Sequence, residues 1–360
     1  MRLPFGLDHA NGTRFPDLAA SVTAVRELLA EALSDRYSLE RELGRGSMAT
    51  VFLARDVRHR RPVAVKVMHP SLAGALDSER FLREIEIAAS LSHPLIVPLY
   101  DSGNARGFLY YIMPYVEGES LYGRLRRERR LSLEDALQIT HDVAQALGYA
   151  HSRGVLHRDV KPENILLAGG HALIADFGLA RALATADHRK LTETGVIVGT
   201  PFYMSPEQLR EDSDLDQRAD IYGLGCILYE MLTGGPPYTG RSLKELATRI
   251  LRAPVPSVQR LQADVPAAVD QAISKALAKS AAERFGTMQE FAAALPQRHA
   301  GSTPAAATSR AGSGDPPDAS MGRAEPPGTP PAERTPAGRG GVLGGLIRAL
   351  RSLVSPGRRS

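Results

Sequence analysis

The octapeptide HRDVKPEN, residues 157–164, decides the fold of this chain. It combines one imidazole, two cations, two carboxylates and an amide, and the apolar run Ile165–Leu167 follows it directly. Taken alone, such a charged segment before a hydrophobic strand indicates only a solvated turn. Its meaning depends on what else the chain contains and at what spacing. Asp176 stands twelve residues beyond Asn164, in the segment ADFGLA, residues 175–180.

Three oxygen-bearing side chains in these segments form a candidate metal site: Asp159, Asn164 and Asp176. They flank the stretch ILLAGGHALI, residues 165–174, which has the pattern of two short strands joined by a glycine turn. Carboxylate and amide oxygens are hard ligands that suit Mg²⁺. Beside a phosphate-binding loop, they would suit Mg²⁺ that carries a nucleotide.

A glycine-rich segment supplies a candidate phosphate-binding loop. The sequence LGRGSMATV, residues 43–51, places Gly44 and Gly46 at a turn between two predicted strands. Because glycine has no Cβ, backbone N–H groups there can approach a phosphate closely. A dinucleotide-binding fold would need a helix after these glycines, whereas TVFLAR, residues 50–55, has the pattern of a strand. The loop therefore argues against a Rossmann site.

One lysine stands among the apolar residues of a predicted strand. Lys66 lies in VAVKVM, residues 63–68, where burying an unpaired ammonium group would be costly. We expect an anionic partner on the following helix, with Glu84 as the first candidate and Glu86 as the alternative. A lysine that merely reaches solvent along its aliphatic chain is the alternative without a function.

Composition and charge narrow the class of protein. Of 360 residues, 43% are hydrophobic and 23% are charged, as in an ordinary globular protein. The net charge of +4 suits anionic ligands, but no lysine-rich arm indicates a nucleic-acid partner. The single cysteine, Cys226, excludes an internal disulfide and is expected to be buried in a helix. Neither a signal peptide nor an apolar run of about 18 residues is present, which predicts a cytoplasmic protein without a transmembrane span.

Three compositional regions divide the chain. Residues 1–36 form an extension with one predicted helix, and residues 297–360 are rich in Pro, Ala, Gly and Ser and are expected to be disordered. Residues 37–296 form the body, in which strand patterns over 37–116 precede helical patterns over 117–296. These patterns predict an α+β fold with a small β-rich lobe, a larger helical lobe and a ligand cleft between them.

The end of the tail departs from its polar composition. The segment VLGGLIRALRSLVSPGRRS, residues 342–360, places apolar residues on one helical face and arginines off that face. A short cationic amphipathic segment of this kind is typical of peripheral contact with an anionic membrane surface or of docking in a partner's groove. A fraying tail with accidental periodicity is the alternative.

In this order and spacing, the segments resemble the eukaryotic-type (Hanks-type) serine/threonine protein kinases. GRGSMATVFLARD, residues 44–56, and GTPFYMSPEQL, residues 199–209, are most similar to the bacterial branch. The resemblance covers residues 37–296 and implies the bilobal protein-kinase fold. It also implies transfer of the γ-phosphoryl group of ATP to serine or threonine hydroxyls of protein substrates, with ATP and Mg²⁺ or Mn²⁺ as cofactors.

The resemblance gives the octapeptide its roles. Asp159 is expected to accept the hydroxyl proton of the substrate, and Lys161 to neutralise charge that develops on the γ-phosphoryl group. Asn164 and Asp176 are expected to hold the metal, whereas His157 is expected to be a structural hydrogen-bonding residue. Positioning of the reactants and electrostatic stabilisation of the transition state would then account for most of the rate acceleration.

For the nucleotide, the resemblance implies a pocket formed by the glycine-rich loop, the neighbouring strands and the interlobe linker. Lys66 would pair both with Glu84 and with the α- and β-phosphates. Met113 would be the gatekeeper, and the backbone of residues 114–116 would meet adenine. The expected ATP-binding residues are Leu43, Gly44, Arg45, Gly46, Ser47, Met48, Ala49, Thr50, Val51, Ala64, Lys66, Glu84, Met113 and Val116.

Regulation is expected in an activation loop at about residues 179–204. Thr192 and Thr194 match the Thr-x-Thr autophosphorylation pair of bacterial relatives, and a phosphate there would add about −1.5 to −2 charge. Arg158, beside the catalytic aspartate, would bind that phosphate and order the loop. A dimer that autophosphorylates in trans is one partner arrangement that the resemblance allows. Two solvated threonines without a role are the alternative.

Further residues are expected to support the site. Asp220 would hold the backbone of the catalytic segment, and Arg284 would pair with Glu207. The chain departs from the family pattern at three positions, none of which carries a charge or ligand that the reaction requires: Ala49, Val160 and Ser205.

Two other functions compete with a protein kinase. A pseudokinase would keep the fold as an interaction module without turnover, but such proteins usually lose the lysine, the catalytic aspartate or the metal-binding aspartate. All of these are present here, as Lys66, Asp159 and Asp176. A small-molecule kinase of the aminoglycoside or choline type would share the acidic residues. The SPE segment at 205–207 and the phosphorylatable loop argue against it.

Overall fold

A computed structural model of the protein describes residues 5–7, 14–16, 22–46, 48–69, 78–177 and 201–296. The tail expected to be disordered, residues 297–360, lies outside the described residues together with its amphipathic end. Ser47, Thr192 and Thr194 lie outside them as well.

The N-terminal extension holds a hairpin and a helix. Strand β1, Phe5–Leu7, pairs antiparallel with β2, Arg14–Pro16, and helix α1 spans Val22–Leu33. The helix lies where the sequence predicts one, whereas the hairpin is not predicted from it.

Five antiparallel strands form the sheet of the small lobe. Their bounds are β3 Tyr37–Arg45, β4 Ala49–Asp56, β5 Arg61–Met68, β6 Asp101–Ala105 and β7 Phe108–Pro114. Across the sheet their order is β3-β4-β5-β7-β6. Helix α2, Ser78–Ala89, connects β5 to the β6–β7 hairpin and packs on one face of the sheet.

Alternation along the strands gives this sheet two different faces, because successive side chains of a strand point to opposite sides. On β5, the outer face carries Val63, Val65 and Val67, which are buried with residues of α1. The inner face carries Ala64, Lys66 and Met68 and is turned toward α2 and the cleft. The outer face is therefore apolar from Val63 to Val67, and the inner face presents Lys66 to the cleft.

Helix α1 covers the outer face of the sheet. Its Leu29 and Leu33 are buried in the same cluster as Phe52 and Ile112. An ion pair of 2.8 Å between Glu31 and Arg106 ties the helix to the β6–β7 hairpin. Helix α1 thus belongs to the small lobe and shares its core.

The large lobe is built from helices and one small sheet. The helices are α3 Leu121–Glu128, α4 Leu133–His151, α5 Pro206–Arg210, α6 Arg218–Thr233, α7 Leu243–Arg252, α8 Ala267–Ala276 and α9 Met288–Ala293. The small sheet joins β8 Glu119–Ser120, β9 Ile165–Ala168 and β10 His171–Ile174 in the order β10-β9-β8.

Side chains at the helix ends account for where several of these helices begin. Ser132, Ser242 and Thr287 each accept a hydrogen bond from the backbone N–H three residues on, which satisfies a donor that the helix itself leaves open. Helix α6 ends at Gly234, whose φ of 87° suits glycine.

Helix α6 is the centre of the large-lobe core. All but three of its residues are buried, among them Cys226, so the expectation of a buried cysteine is confirmed. A helix that is buried on nearly all sides fixes the elements packed around it. The α+β architecture with a β-rich small lobe and a helical large lobe is confirmed.

A backbone connection links the two lobes beneath the cleft. The N–H of Val97, which follows α2, donates to Ile174 O at 2.9 Å, and the N–H of Ile174 donates to Leu95 O at 2.9 Å. Because Ile174 precedes Asp176 by two residues, this pairing holds the second acidic segment against the small lobe. Among the described residues, no helix is both long and apolar enough to cross a lipid bilayer.

Candidate active site

The catalytic segment is fixed by a buried histidine. His157 is fully buried, and its Nε2 bonds to Ala175 O at 2.8 Å. Its Nδ1 accepts a hydrogen bond from the backbone N–H of Asp159 at 3.2 Å, and its ring packs edge-on against Phe177. The imidazole therefore joins the octapeptide to the second acidic segment, and the expected structural role of His157 is confirmed.

A buried carboxylate on α6 holds the same segment from below. Asp220 accepts hydrogen bonds from the backbone N–H of His157 at 2.9 Å and from that of Arg158 at 2.7 Å. The His151 Nε2 atom lies 2.7 Å from the same carboxylate. The expected support by Asp220 is confirmed, and His151 at the end of α4 is a third partner that the sequence patterns do not identify.

These donors hold Asp220 as a carboxylate. Burial raises the pKa of Asp220, but the hydrogen bond and charge of His151 and the backbone N–H of His157 outweigh it and bring the pKa below its ordinary value. A carboxylate that accepts several N–H bonds is stabilised in its charged form. The negative charge of Asp220 is therefore used to bind the backbone N–H groups of His157 and Arg158.

Arg158 occupies an uncommon backbone conformation. Its φ is 65°, in the left-handed region that costs a residue with a side chain about 1 kcal/mol or more. The peptide is pinned on both sides, since its N–H donates to Asp220 and its carbonyl accepts from Gln208 Nε2 at 2.7 Å. Such over-determined strain is typical of functional segments.

The three predicted catalytic residues come together. The Lys161 Nζ atom lies 2.6 Å from Asp159 Oδ2. Asn164, at the end of the 3₁₀ turn Pro162–Asn164, donates through Nδ2 to Asp159 O at 2.8 Å and to Oδ2 at 3.2 Å. The amide nitrogen of Asn164 is thus used on Asp159, which leaves its amide oxygen as the atom suited to a cation.

The second acidic segment lies directly beside them. The N–H of Ala175 donates to Asn164 O at 2.9 Å, and Ala175 O bonds to His157. Asp176 follows with a φ of 71° and a nearly buried side chain. Two main-chain contacts therefore position Asp176 next to the catalytic segment.

The ion pair of Lys66 differs from the predicted one. Within the described part of the chain, the partner of Lys66 is Asp176, with Nζ and Oδ2 2.5 Å apart, and not Glu84 or Glu86. Glu84 is buried on α2, and Glu86 is exposed on it. The backbone pairing of Val97 with Ile174 brings Asp176 to the inner face of the small-lobe sheet. Lys66 lies on that face and forms the ion pair with Asp176.

A tyrosine completes the surroundings of Asp176. The hydroxyl of Tyr111 donates to Asp176 Oδ1 at 2.5 Å. Burial raises the pKa of Asp176, but the charge of Lys66 and hydrogen bonds from Lys66 and Tyr111 outweigh it, so that the pKa lies below the ordinary value. Tyr111 is not predicted as a site residue, although its place two residues before Met113 on one strand puts both on the same face.

An apolar wall lines the small-lobe side of the cleft. The predicted ATP-binding residues Val51, Ala64, Met113 and Val116 belong to one cluster with Leu43. Two further members, Leu166 and Leu173, come from β9 and β10 of the large lobe and are not predicted as site residues. The sequence signal for Leu166 is the apolar run that directly follows the octapeptide, and the signal for Leu173 is the second predicted strand, after the glycine turn.

The glycine-rich loop is open where a phosphate would approach. A Cβ at Gly44 would meet no atom within 4 Å, and one at Gly46 would meet only Ala49 O at 3.8 Å. Packing therefore does not require either glycine. The loop is closed by the N–H of Gly46, which donates to Ala49 O at 2.9 Å, and Thr50 Oγ1 lies 3.2 Å from His69 Nε2.

Two other predicted loop residues flank the connection between β3 and β4, since Arg45 ends β3 and Met48 directly precedes β4. Arg45 pairs with Glu42 at 3.2 Å, and Met48 packs on the inner cluster. Ser47 lies outside the described residues.

The large lobe contains the predicted supporting ion pair. Arg284 donates from both terminal nitrogens to Glu207, at 2.6 and 2.7 Å, and its side chain has no exposed surface. Burial raises the pKa of Glu207, but hydrogen bonds from Arg284 and its charge bring the pKa below the ordinary value. Two-point contact with a planar guanidinium fixes the geometry of a carboxylate, so the expected Arg284–Glu207 pair is confirmed.

The residues present fit a nucleotide with a divalent cation. The amide oxygen of Asn164 and the carboxylate of Asp176 are the hard donors that such cations take. The open glycine loop and Lys66 suit anionic phosphates, and the apolar wall suits a flat base. Asp159, held by Lys161 and Asn164, can accept a proton from a nearby hydroxyl group.

Comparison with known proteins agrees with this arrangement. Residues 37–294 match the family model described as the protein kinase domain. The serine/threonine-protein kinase PknB of Mycobacterium tuberculosis is 43% identical over 281 residues, which cover 76% of this chain and 44% of that protein. PknD of the same organism is 43% identical over 261 residues, covering 72% of this chain and 39% of that protein. The chain therefore spans less than half the length of these curated relatives.

A solved structure resembles the same part of the chain. The crystal structure of the Mycobacterium tuberculosis PknI kinase domain matches with a TM-score of 0.58 at 35% sequence identity. The match covers 72% of this chain and 94% of that one. The family match and the structural match thus both identify a protein kinase domain, which the family model places at residues 37–294.

Proposed function

This chain belongs to the protein kinase domain family, and on that premise we propose that it is a serine/threonine protein kinase. It would transfer the γ-phosphoryl group of ATP to serine or threonine hydroxyls of protein substrates. The observation that supports this most is the junction of two segments at Ala175, which puts the Asp159–Lys161–Asn164 group beside Asp176.

Asp159 would act on the acceptor hydroxyl. Its carboxylate is held by Lys161 and by the amide of Asn164, so that its orientation is set before the substrate binds. It would accept the hydroxyl proton and align the oxygen for in-line attack. Lys161, already beside this carboxylate, would stabilise the negative charge that develops on the transferred group.

Nucleotide and metal would be held by residues of both lobes. The apolar cluster of Val51, Ala64 and Met113 would enclose the base, and Lys66 would bind phosphate oxygens while it stays within reach of Asp176. Asn164 and Asp176 would hold Mg²⁺, with Mn²⁺ as an alternative, which would neutralise charge on the phosphates. The family implies ATP and a divalent metal, and Mg²⁺ is our choice among such metals.

Regulation would depend on the activation loop. We expect autophosphorylation at Thr192 and Thr194, in trans within a dimer, and binding of the new phosphates by Arg158. The C-terminal amphipathic segment would add a peripheral contact with a membrane or a partner. Because ATP is the phosphoryl donor, we expect the domain to act in the cytoplasm.

Labelling with radioactive γ-phosphate tests the proposal. The purified full chain, incubated with Mg²⁺, ATP and a mixture of proteins, should label serine and threonine residues, and mass spectrometry should map sites to its own loop. Asp159→Asn should lower the rate by about 10²–10⁴-fold, because it removes the proton acceptor. The exposed loop residue Asp214 provides the matched control, since Asp214→Asn should keep the wild-type rate.

Each competing function predicts a different result. A pseudokinase would bind ATP and label no hydroxyl, and a small-molecule kinase would label only a small alcohol. A rate for Asp159→Asn equal to that of the wild type would remove Asp159 from the proposed role.

A further inference from the structure

Tyr111 is a buried polar residue that the reaction described above does not use. Its side chain has no exposed surface, and its hydroxyl donates to Asp176 Oδ1 at 2.5 Å. Its neighbours on the same strand face, Leu109 and Met113, are apolar. A buried tyrosine hydroxyl needs a hydrogen-bonding partner, and here that partner is the proposed metal-binding carboxylate.

The strand register explains why Tyr111 reaches this carboxylate. In the pairing of β5 with β7, Tyr111 stands directly opposite Lys66. Side chains of directly opposed residues lie on the same face of a sheet and close to each other. The Lys66 Nζ atom lies 5.9 Å from the centre of the Tyr111 ring, and both groups meet one carboxylate.

Tyr111 and Lys66 contact different oxygens of the Asp176 carboxylate. Tyr111 bonds to Oδ1 and Lys66 to Oδ2. A carboxylate offers about four lone-pair positions in total, so each oxygen keeps one for another ligand. Two donors on different oxygens also fix rotation of the group about its Cβ–Cγ bond, which a single contact to Lys66 would leave free.

We propose that Tyr111 is a positioning residue for the proposed metal ligand Asp176, a role that rests on the proposed function. Its hydroxyl, together with Lys66, holds the carboxylate in one rotation, in which Asp176 would be presented to the cation. Groups that hydrogen bond to a metal ligand set its orientation, and removing one typically costs about 10–100-fold in metal affinity.

Metal-linked nucleotide binding measures this role without catalysis. The full chain is titrated with ADP by calorimetry, once with Mg²⁺ and once with a chelator, and the ratio of the two dissociation constants gives the metal linkage. Tyr111→Phe should reduce this linkage about 10-fold or more while the affinity for metal-free ADP stays within about 2-fold. Tyr111→Leu, which lacks both hydroxyl and ring, should show the same loss and provides a second test if the first variant is unstable.

The neighbouring tyrosine is a matched control. Tyr110 is on the same strand, but its side chain packs on the outer cluster of the sheet. Tyr110→Phe removes the same atom from the other face and should leave the metal linkage unchanged.

A double-mutant cycle separates positioning from general packing. In an Asp176→Asn background, adding Tyr111→Phe should cause no further loss of metal linkage, because the hydroxyl acts through that carboxylate. An unchanged or stronger linkage in Tyr111→Phe would overturn the role of Tyr111. A wild-type chain without any metal linkage would instead overturn the proposed metal site, so the two failures are distinguishable.

Discussion

Asp176 and Asp220 are two aspartates of the large lobe, one nearly buried and one buried, whose hydrogen-bond donors come from different lobes. Asp220 receives backbone N–H groups of His157 and Arg158 and a side-chain contact from His151, all within that lobe. Asp176 receives two side chains, Lys66 and Tyr111, both from the small lobe. Both carboxylates have a pKa below the ordinary value.

The difference shows how one residue type serves two purposes. The backbone N–H donors cannot move away from Asp220 unless the loop unfolds, so the negative charge of Asp220 serves to stabilise the loop. One donor of Asp176, the ammonium group of Lys66, ends a flexible side chain that is 18% exposed, so that it can be shared with a ligand. Stability and activity should therefore respond differently to changes at the two positions.

The largest effect is expected on activity at Asp176. Asp176→Asn should lower phosphoryl transfer by about 10²–10³-fold, since it weakens the proposed metal site whose cation would neutralise charge on the phosphates. The free energy of unfolding should change less than for the matching variant at Asp220, because Lys66 can reach solvent. Initial rates and urea unfolding of the same preparation check both statements, and a loss of stability as large as in Asp220→Asn would contradict the comparison.

The reverse pattern is expected at Asp220. Asp220→Asn places an amide group against backbone N–H donors, and each buried donor left without an acceptor costs about 1–3 kcal/mol. Urea unfolding should show this loss, together with a lower rate as the catalytic segment loosens. Metal-free ADP should bind as in the wild type. Wild-type stability in this variant would mean that the loop is held by other contacts.

A smaller effect, on pH dependence, sharpens the same comparison. A carboxylate whose pKa is lower in the folded than in the unfolded chain contributes stability above the unfolded value, about 3.9, and loses it as pH falls through the folded value. Both aspartates follow this sign. The stability difference between wild type and Asp220→Asn should thus be constant from about pH 7 to 5 and shrink below about pH 4. A difference that grows on acidification would reverse the assigned direction.

Much of the catalytic segment is predictable because its determinants are local. Asp159, Lys161 and Asn164 lie within six residues and meet through a short turn, and their roles come from the family resemblance. The Arg284–Glu207 pair spans 77 residues and comes from the family resemblance, and the structure contains it.

The contacts of Asp176 are less predictable because they depend on how the lobes meet. Lys66 and Asp176 are 110 residues apart, and their pairing follows from the backbone contact of Val97 with Ile174. No strand or helix pattern encodes that contact. Tyr111 has a weaker signal in the sequence. A tyrosine between Leu109 and Met113 on the inner face of a strand requires a polar partner for its hydroxyl, but the strand pattern does not identify that partner.

Helix α1 has a consequence for where the domain ends. The family match begins at residue 37, yet Leu29 and Leu33 complete the core under the strands. A chain trimmed to the matched residues would expose a contiguous apolar surface that includes Phe52, Val65 and Ile112. Such a surface promotes self-association, so preparations that start at the family boundary should aggregate, whereas those that start before Val22 should remain monodisperse.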